Sequence, residues 1–159
     1  MRIKPIAAMR VYPTPTTTLY ARVLVFDTQR AMHKYALRTG HSPGRYQAVS
    51  QAIITQIRRK RRGVVRVLRT RPVFAELLFY ERGISLGTVA HECFHVALMY
   101  GRRMRLDLND LAIQDEFAAR KPGVWTKARS YDVEERLAEV QDTLTHELVV
   151  ALRKRGWVL

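Results

Sequence analysis

The sequence predicts an α+β fold, and three observations carry that prediction. Apolar runs rich in β-branched and aromatic residues, at 19–26, 64–68 and 73–80, read as strands. A strongly periodic segment from Asp132 to about Lys154 reads as a long helix. Between them stands His91-Glu92-Cys93-Phe94-His95, an H-E-x-x-H stretch set in an apolar helical pattern.

A chain of 159 residues, 47% of them apolar, is long enough for one domain with a real core, and residues 1–159 read as a single unit. No apolar run reaches the length of a membrane span, so no membrane contact is expected. The N-terminal stretch from Met1 to Met9 is too short and too soon interrupted for a secretory signal. Cys93 is the one cysteine, which rules out an internal disulfide framework and fits a reducing, cytoplasmic setting.

Taken in order, Met9–Tyr12 reads as extended before Pro13 and Pro15. Leu19–Phe26 is a strand. Asp27 or Thr28 caps a helix over roughly 29–38, which Gly40 ends. Residues 46–57 suit either a buried strand or a helix. Arg58-Arg59-Lys60-Arg61-Arg62 with Gly63 reads as a solvated turn between strands. Val73–Tyr80 is a further strand. Gly83 and Gly87 break the chain before the motif helix, for which Thr88 is the expected N-cap and Gly101 the stop. Residues 102–131 read as a loop-rich connection with one short helix near 107–119. In the last helix Leu137, Val140, Leu144, Leu148 and Ala151 form the core face.

Charge divides the chain. Residues 1–75 hold 16 Lys/Arg and one acid, Asp27, a balance of +15. Residues 76–159 hold 12 Lys/Arg and 13 acids, a balance of −1. The basic half suggests a polyanionic or acidic partner, with Arg58, Arg59, Lys60, Arg61 and Arg62 as its densest cluster. No helix-turn-helix or zinc-finger spacing accompanies it, and no aromatic residues alternate with the arginines.

The other half, 76–159, carries the metal chemistry. Residues four apart on a helix share a face, so His91 and His95 can bind one Zn²⁺ from the same side. Glu92 beside them is placed to act as general base. A catalytic zinc takes a third protein ligand. Residues 96–105 contain Gly101 but no histidine, so the ligand is expected on a later element. Glu135, Glu139, Asp142 and His146 recur at i, i+4, i+7 and i+11 and form a polar stripe on the last helix. Glu135 is the expected third ligand and Glu134 its main rival, with Glu139 and Asp132 as further alternatives. Glu139, one turn on, would accept the free N–H of a ligand histidine. Cys93 is expected to pack inward. His33, His41 and His146 are read as surface or hydrogen-bonded residues rather than ligands.

Gly83-Ile-Ser-Leu-Gly-Thr-Val-Ala-His-Glu-Cys-Phe-His-Val-Ala-Leu98, followed by Glu134-Glu-Arg-Leu-Ala-Glu-Val-Gln141, resembles small zinc-peptidase-like proteins of bacteriophages and prophages, and through them the gluzincins and, distantly, the SprT-type enzymes. The resemblance covers the motif and the later helix. Over residues 1–75 it extends only to a strand followed by a helix. It implies a minimal zincin-like domain: a small twisted, mostly antiparallel sheet packed on the H-E-x-x-H helix and a C-terminal glutamate helix. The position matching the family's glutamate is Glu135. The implied activity is zinc-dependent hydrolysis of peptide bonds in a peptide or protein substrate. The resemblance further implies an edge strand that holds substrate, expected at Phe74–Tyr80. It also implies an oxyanion-stabilising group, for which Tyr80, Tyr100 and Tyr131 are candidates. The basic half departs from this pattern. It opens an alternative: a zinc-stabilised binding protein that contacts nucleic acid or an acidic host protein.

Overall fold

In the computed structural model, residues 3–40, 48–53, 56–61, 64–104, 106 and 127–159 are described, with the backbone path alone for 56–61, 64–70 and 127–132. The fold is α+β. Four strands form one mixed sheet: β1 (Ala7–Val11), β2 (Tyr20–Phe26), β3 (Ala48–Ala52) and β6 (Val73–Tyr80), in the order β1-β2-β6-β3. β1 runs antiparallel to β2, β2 parallel to β6, and β6 antiparallel to β3. A separate antiparallel ribbon is made by β4 (Gln56–Arg61) and β5 (Val64–Thr70). Helix α1 (Gln29–Arg38) covers one face of the sheet; α2 (Leu86–Arg103) and α3 (Lys127–Arg153) cover the other.

Burial along the strands follows from this layering. β1, at an edge, alternates buried and exposed residues, as a strand covered on one face must. β2 and β6 lie inside with helices on both faces, so Val23–Phe26 and Phe74–Phe79 are continuously buried. Odd-numbered residues of both strands, Val23, Val25, Leu77 and Phe79, join Val89, Cys93, Val96, Leu144 and Leu148 of α2 and α3 in the larger core. Leu24, Phe26 and Leu78 face Met32 and Ala36 of α1.

Phe74–Tyr80 is therefore an interior strand and not the expected edge. The edges are β1 and β3, and among the described residues β3 pairs only with β6. The ambiguous stretch after residue 46 supplies that edge strand.

Thr28 caps α1 as expected, its side chain accepting from the Ala31 N–H. α2 begins earlier than expected. Ser85, not Thr88, is its N-cap, and the Ser85 hydroxyl accepts from the Thr88 N–H at 3.2 Å. Gly87 sits in the first turn, where a glycine costs little. Gly101 does not stop the helix either. It is buried, and the helix runs on to Arg103. Gly83 is required by close approach: a Cβ there would lie 2.4 Å from the Tyr80 ring.

Arg58–Arg61 lies in strand β4 rather than in a turn, with Arg58, Lys60 and Arg61 opposite valines of β5 and Arg59 opposite Arg66. Those partners, Val64, Val65 and Val67, favour a pleated ribbon and carry the charged strand with them. α3 starts at Lys127, about a turn before the expected Asp132, and α2 runs on to Arg103. The short helix expected near 107–119 lies outside the described residues, as do Arg62 and His41.

One polar residue interrupts the interior strand. Glu76 is 2% exposed. Its carboxylate pairs with the Arg22 guanidinium and accepts from the Tyr35 hydroxyl at 3.2 Å and from Gln51 Nε2 at 2.6 Å. Gln51 also donates to Thr39 Oγ1 at 3.3 Å. These contacts tie β2, β3, β6 and α1 together and satisfy a charge that would otherwise be costly to bury.

Candidate metal centre

α2 sorts its residues by face. At about 100° per residue, Val89, Cys93, Val96, Ala97 and Tyr100 point into the core, and all are buried. His91 and His95 lie on the opposite face, His91 exposed and His95 half-buried. Glu92 sits on the flank between these faces and is 7% exposed. Phe94 is 42% exposed on the other flank, and its ring centroid lies 6.0 Å from that of His95.

The two imidazoles converge. Nε2 of His91 and Nε2 of His95 are 3.2 Å apart, with ring centroids 4.7 Å apart and planes at 86°. Two nitrogens bound to one tetrahedral zinc at about 2.0–2.1 Å stand about 3.3 Å from each other. The observed pair fits that separation. The same approach also allows one ring N–H to donate to the other ring nitrogen.

The remaining expected ligands are placed as follows. α3 buries Leu137, Val140, Leu144, Leu148 and Leu152. Glu135, Glu139, Asp142 and His146 are polar residues on the side of α3 away from that face, with Glu135 and Glu139 exposed. Glu134 is half-buried and falls on the same flank as Thr145, eleven residues on. That flank meets α2, because Thr145 hydrogen-bonds the Cys93 thiol. The opposite flank meets β1, where Glu147 Oε2 accepts from the Tyr12 N–H at 2.9 Å. His91 and His95 are thus brought together, whereas none of Glu134, Glu135 and Glu139 joins them in a group that could hold a metal ion. Among the described residues no group of three His, Cys, Asp or Glu side chains is arranged to hold a metal ion. The side chain of Asp132 lies outside the described residues.

Cys93 packs inward, fully buried among the core residues. Burial pushes its thiol up from 9.0 to about 11; the Thr145 hydrogen bond lowers it and the Glu92 carboxylate raises it further. It is protonated at neutral pH and points into the core, on the side of α2 away from the two imidazoles. Of the tyrosines, Tyr100 is buried with its ring 5.5 Å from that of Phe74, and Tyr80 packs with the α1 core on the far face of the sheet. The Tyr131 side chain lies outside the described residues.

Sequence reasoning passed over Phe94 and Glu76. Phe94 was readable as the one large apolar residue on the outward side of the motif. Glu76 was readable as the lone acid in an apolar strand.

Comparisons with protein-family models, with curated proteins and with solved structures find no match for this chain. Among the described residues, no helix is long and apolar enough to cross a membrane.

Proposed function

We propose that the protein is a zinc-dependent metallopeptidase of a minimal zincin-like design. The observation that carries this reading is the 3.2 Å approach of the two Nε2 atoms on the outward face of α2, with Glu92 on the adjoining flank. His91 and His95 would hold the ion, with a carboxylate of α3, Glu134 or Glu135, as the third ligand. When bound, zinc supplies Lewis-acid activation of a water molecule and of the scissile carbonyl. Glu92 accepts the proton of the attacking water and returns it to the leaving amine. Glu92 is 7% exposed and sits one residue from His91 on the flank that adjoins the two imidazoles. Phe94 lines one side of the pair and offers an apolar surface to a substrate side chain.

β3 supports the same reading. It is an antiparallel edge strand packed beside α2, and it pairs on one side only among the described residues. An extended peptide can add to such an edge by main-chain hydrogen bonds. Substitution Glu92→Gln tests the assignment: zinc and fold should persist while peptide hydrolysis is lost. Hydrolysis that survives the substitution removes Glu92 from the chemistry.

A second reading rests on the ribbon. Its register puts Arg59 opposite Arg66, Arg58 opposite Val67 and Lys60 opposite Val65, so four consecutive cationic positions, Arg58 to Arg61, lie along one strand of the ribbon. Such a ribbon suits a binding protein that holds nucleic acid, because a two-stranded ribbon fits the major groove. Duplex binding that falls steeply with salt, survives Glu92→Gln and is lost when Arg58–Arg61 are neutralised would favour it.

A further inference from the structure

α1 carries a second cationic surface, separate from both the metal pair and the ribbon. Lys4, Arg30, Lys34 and Arg38 are exposed and line one groove of about 610 Å³. Ile3 and Ala31, half-buried, form its apolar part. Arg30, Lys34 and Arg38 recur every four residues along one flank of the helix.

Like charges spaced in this way destabilise a helix. α1 contains no acidic residue to offset them. Asp27 is the one acid in the groove, and its Oδ1 already accepts from the Thr28 N–H and hydroxyl. Among the described residues none of the four cations forms an ion pair. The groove therefore carries an excess of three positive charges that the fold itself does not neutralise.

We propose that this groove binds phosphate esters, taken as successive phosphates along a nucleic-acid strand. From Arg30 to Arg38 the helix rises about 12 Å. A duplex strand presents a phosphate about every 3.4 Å along its axis, so the stripe spans about three of them. A single carboxylate or phosphate reaches one cation or two, not the whole stripe. The groove lies on α1, across the sheet from α2, so a strand held there leaves the His91–His95 face open. The inference rests on neither the metal reading nor the ribbon.

The test is fluorescence anisotropy of a labelled 20-base-pair duplex with the full chain over a series of salt concentrations. ATP is added as competitor in a second arm. The groove variant is Arg30→Gln with Lys34→Gln and Arg38→Gln. The ribbon variant is Arg58→Gln with Arg59→Gln, Lys60→Gln and Arg61→Gln. Lys4→Gln, outside the helix, probes the groove without touching α1, and circular dichroism checks the fold of each. The groove variant should bind the duplex at least about tenfold more weakly at low salt. Its slope of log affinity against log salt should be shallower by about 0.9 for each phosphate it no longer neutralises. Lys4→Gln should make the slope shallower by about 0.9, as expected for one phosphate. Displacement of the duplex by micromolar ATP, abolished in the groove variant, would sustain phosphate recognition and make a free nucleotide the source. Wild-type affinity and slope in the groove variant would overturn the proposal, with weaker binding in the ribbon variant alone leaving only the second reading. Binding of neither duplex nor ATP by the wild-type chain would overturn it as well.

Discussion

His91 Nε2 and His95 Nε2 lie 3.2 Å apart on the face of α2 that points away from the core. Two imidazoles on successive turns of an outward face are free to rotate apart into solvent. Here they converge edge to face, at the separation that one tetrahedral ion imposes. The same helix buries Val89, Cys93, Val96 and Tyr100 on its other side. The histidine pair is thus held by a helix whose orientation is set by core packing.

Glu92 is expected to act on the proton and not on the metal. Glu92→Gln should leave the zinc content unchanged and lower the rate of peptide cleavage by about 10²–10⁴-fold. Glu92→Asp, one methylene shorter, should fall between the two. Cleavage of a labelled protein substrate, with zinc measured on the same samples, reads both effects.

The third ligand divides Glu134 from Glu135. Glu134 shares the flank of α3 that holds Thr145 against Cys93, while Glu135 is exposed on the outer side. Glu134→Gln should therefore weaken zinc binding by more than the about 10–100-fold that removal of a supporting hydrogen bond costs. Glu135→Gln should leave it unchanged. Competition with a chromophoric chelator measures both, and the reverse order would restore Glu135.

Cys93 gives a pH dependence of stability. In the fold its thiol holds a proton up to about pH 11, whereas the free group ionises near 9.0. The stabilisation is complete below pH 9 and is lost as pH rises toward 11, on the order of 2 kcal/mol in all. Tyr35, also raised mainly by burial, adds loss in the same direction. Urea unfolding at neutral and alkaline pH should show the decline. Cys93→Ala should flatten the part due to the thiol and leave zinc content intact. The native thiol should also resist a disulfide reagent until the chain is unfolded.

Glu76 should matter for stability far more than its partner. Glu76→Ala strips the acceptor from the buried Gln51 amide and the Tyr35 hydroxyl, at a cost of about 1–3 kcal/mol. The Arg22 side chain is 46% exposed, so water can replace part of what it supplies to the carboxylate, and Arg22→Ala should cost less than Glu76→Ala. Denaturant titrations of the two variants compare them directly. Equal losses would mean that the ion pair, not the hydrogen bonds, carries the cluster.

Much of this architecture is legible in the sequence because it depends on local pattern. The period of Leu137, Val140, Leu144 and Leu148 gives α3 and its core face, and Thr28 marks the start of α1. The spacing of His91 and His95 gives their shared face. The misreadings come from relations between elements. Phe74–Tyr80 reads as a strand from its residues, but its interior place depends on β2 and β3 pairing along both sides. Continuous apolar character was the available sign of a strand covered on both faces. The charged Arg58–Arg61 run reads as a turn by composition, yet it pairs with β5 in an antiparallel ribbon. The stripe of Glu135, Glu139, Asp142 and His146 is real as a stripe. Helical period shows that such residues share a face but not what that face meets, and here it is the outer side of α3.

Zinc content of the purified, dialysed chain tests the central claim most directly. Emission spectrometry should find about one equivalent of zinc per wild-type chain, and His91→Ala and His95→Ala should each fall below about a tenth of that while keeping their helical circular dichroism. Wild-type protein with less than about half an equivalent, or histidine variants that retain the wild-type amount, would contradict the account.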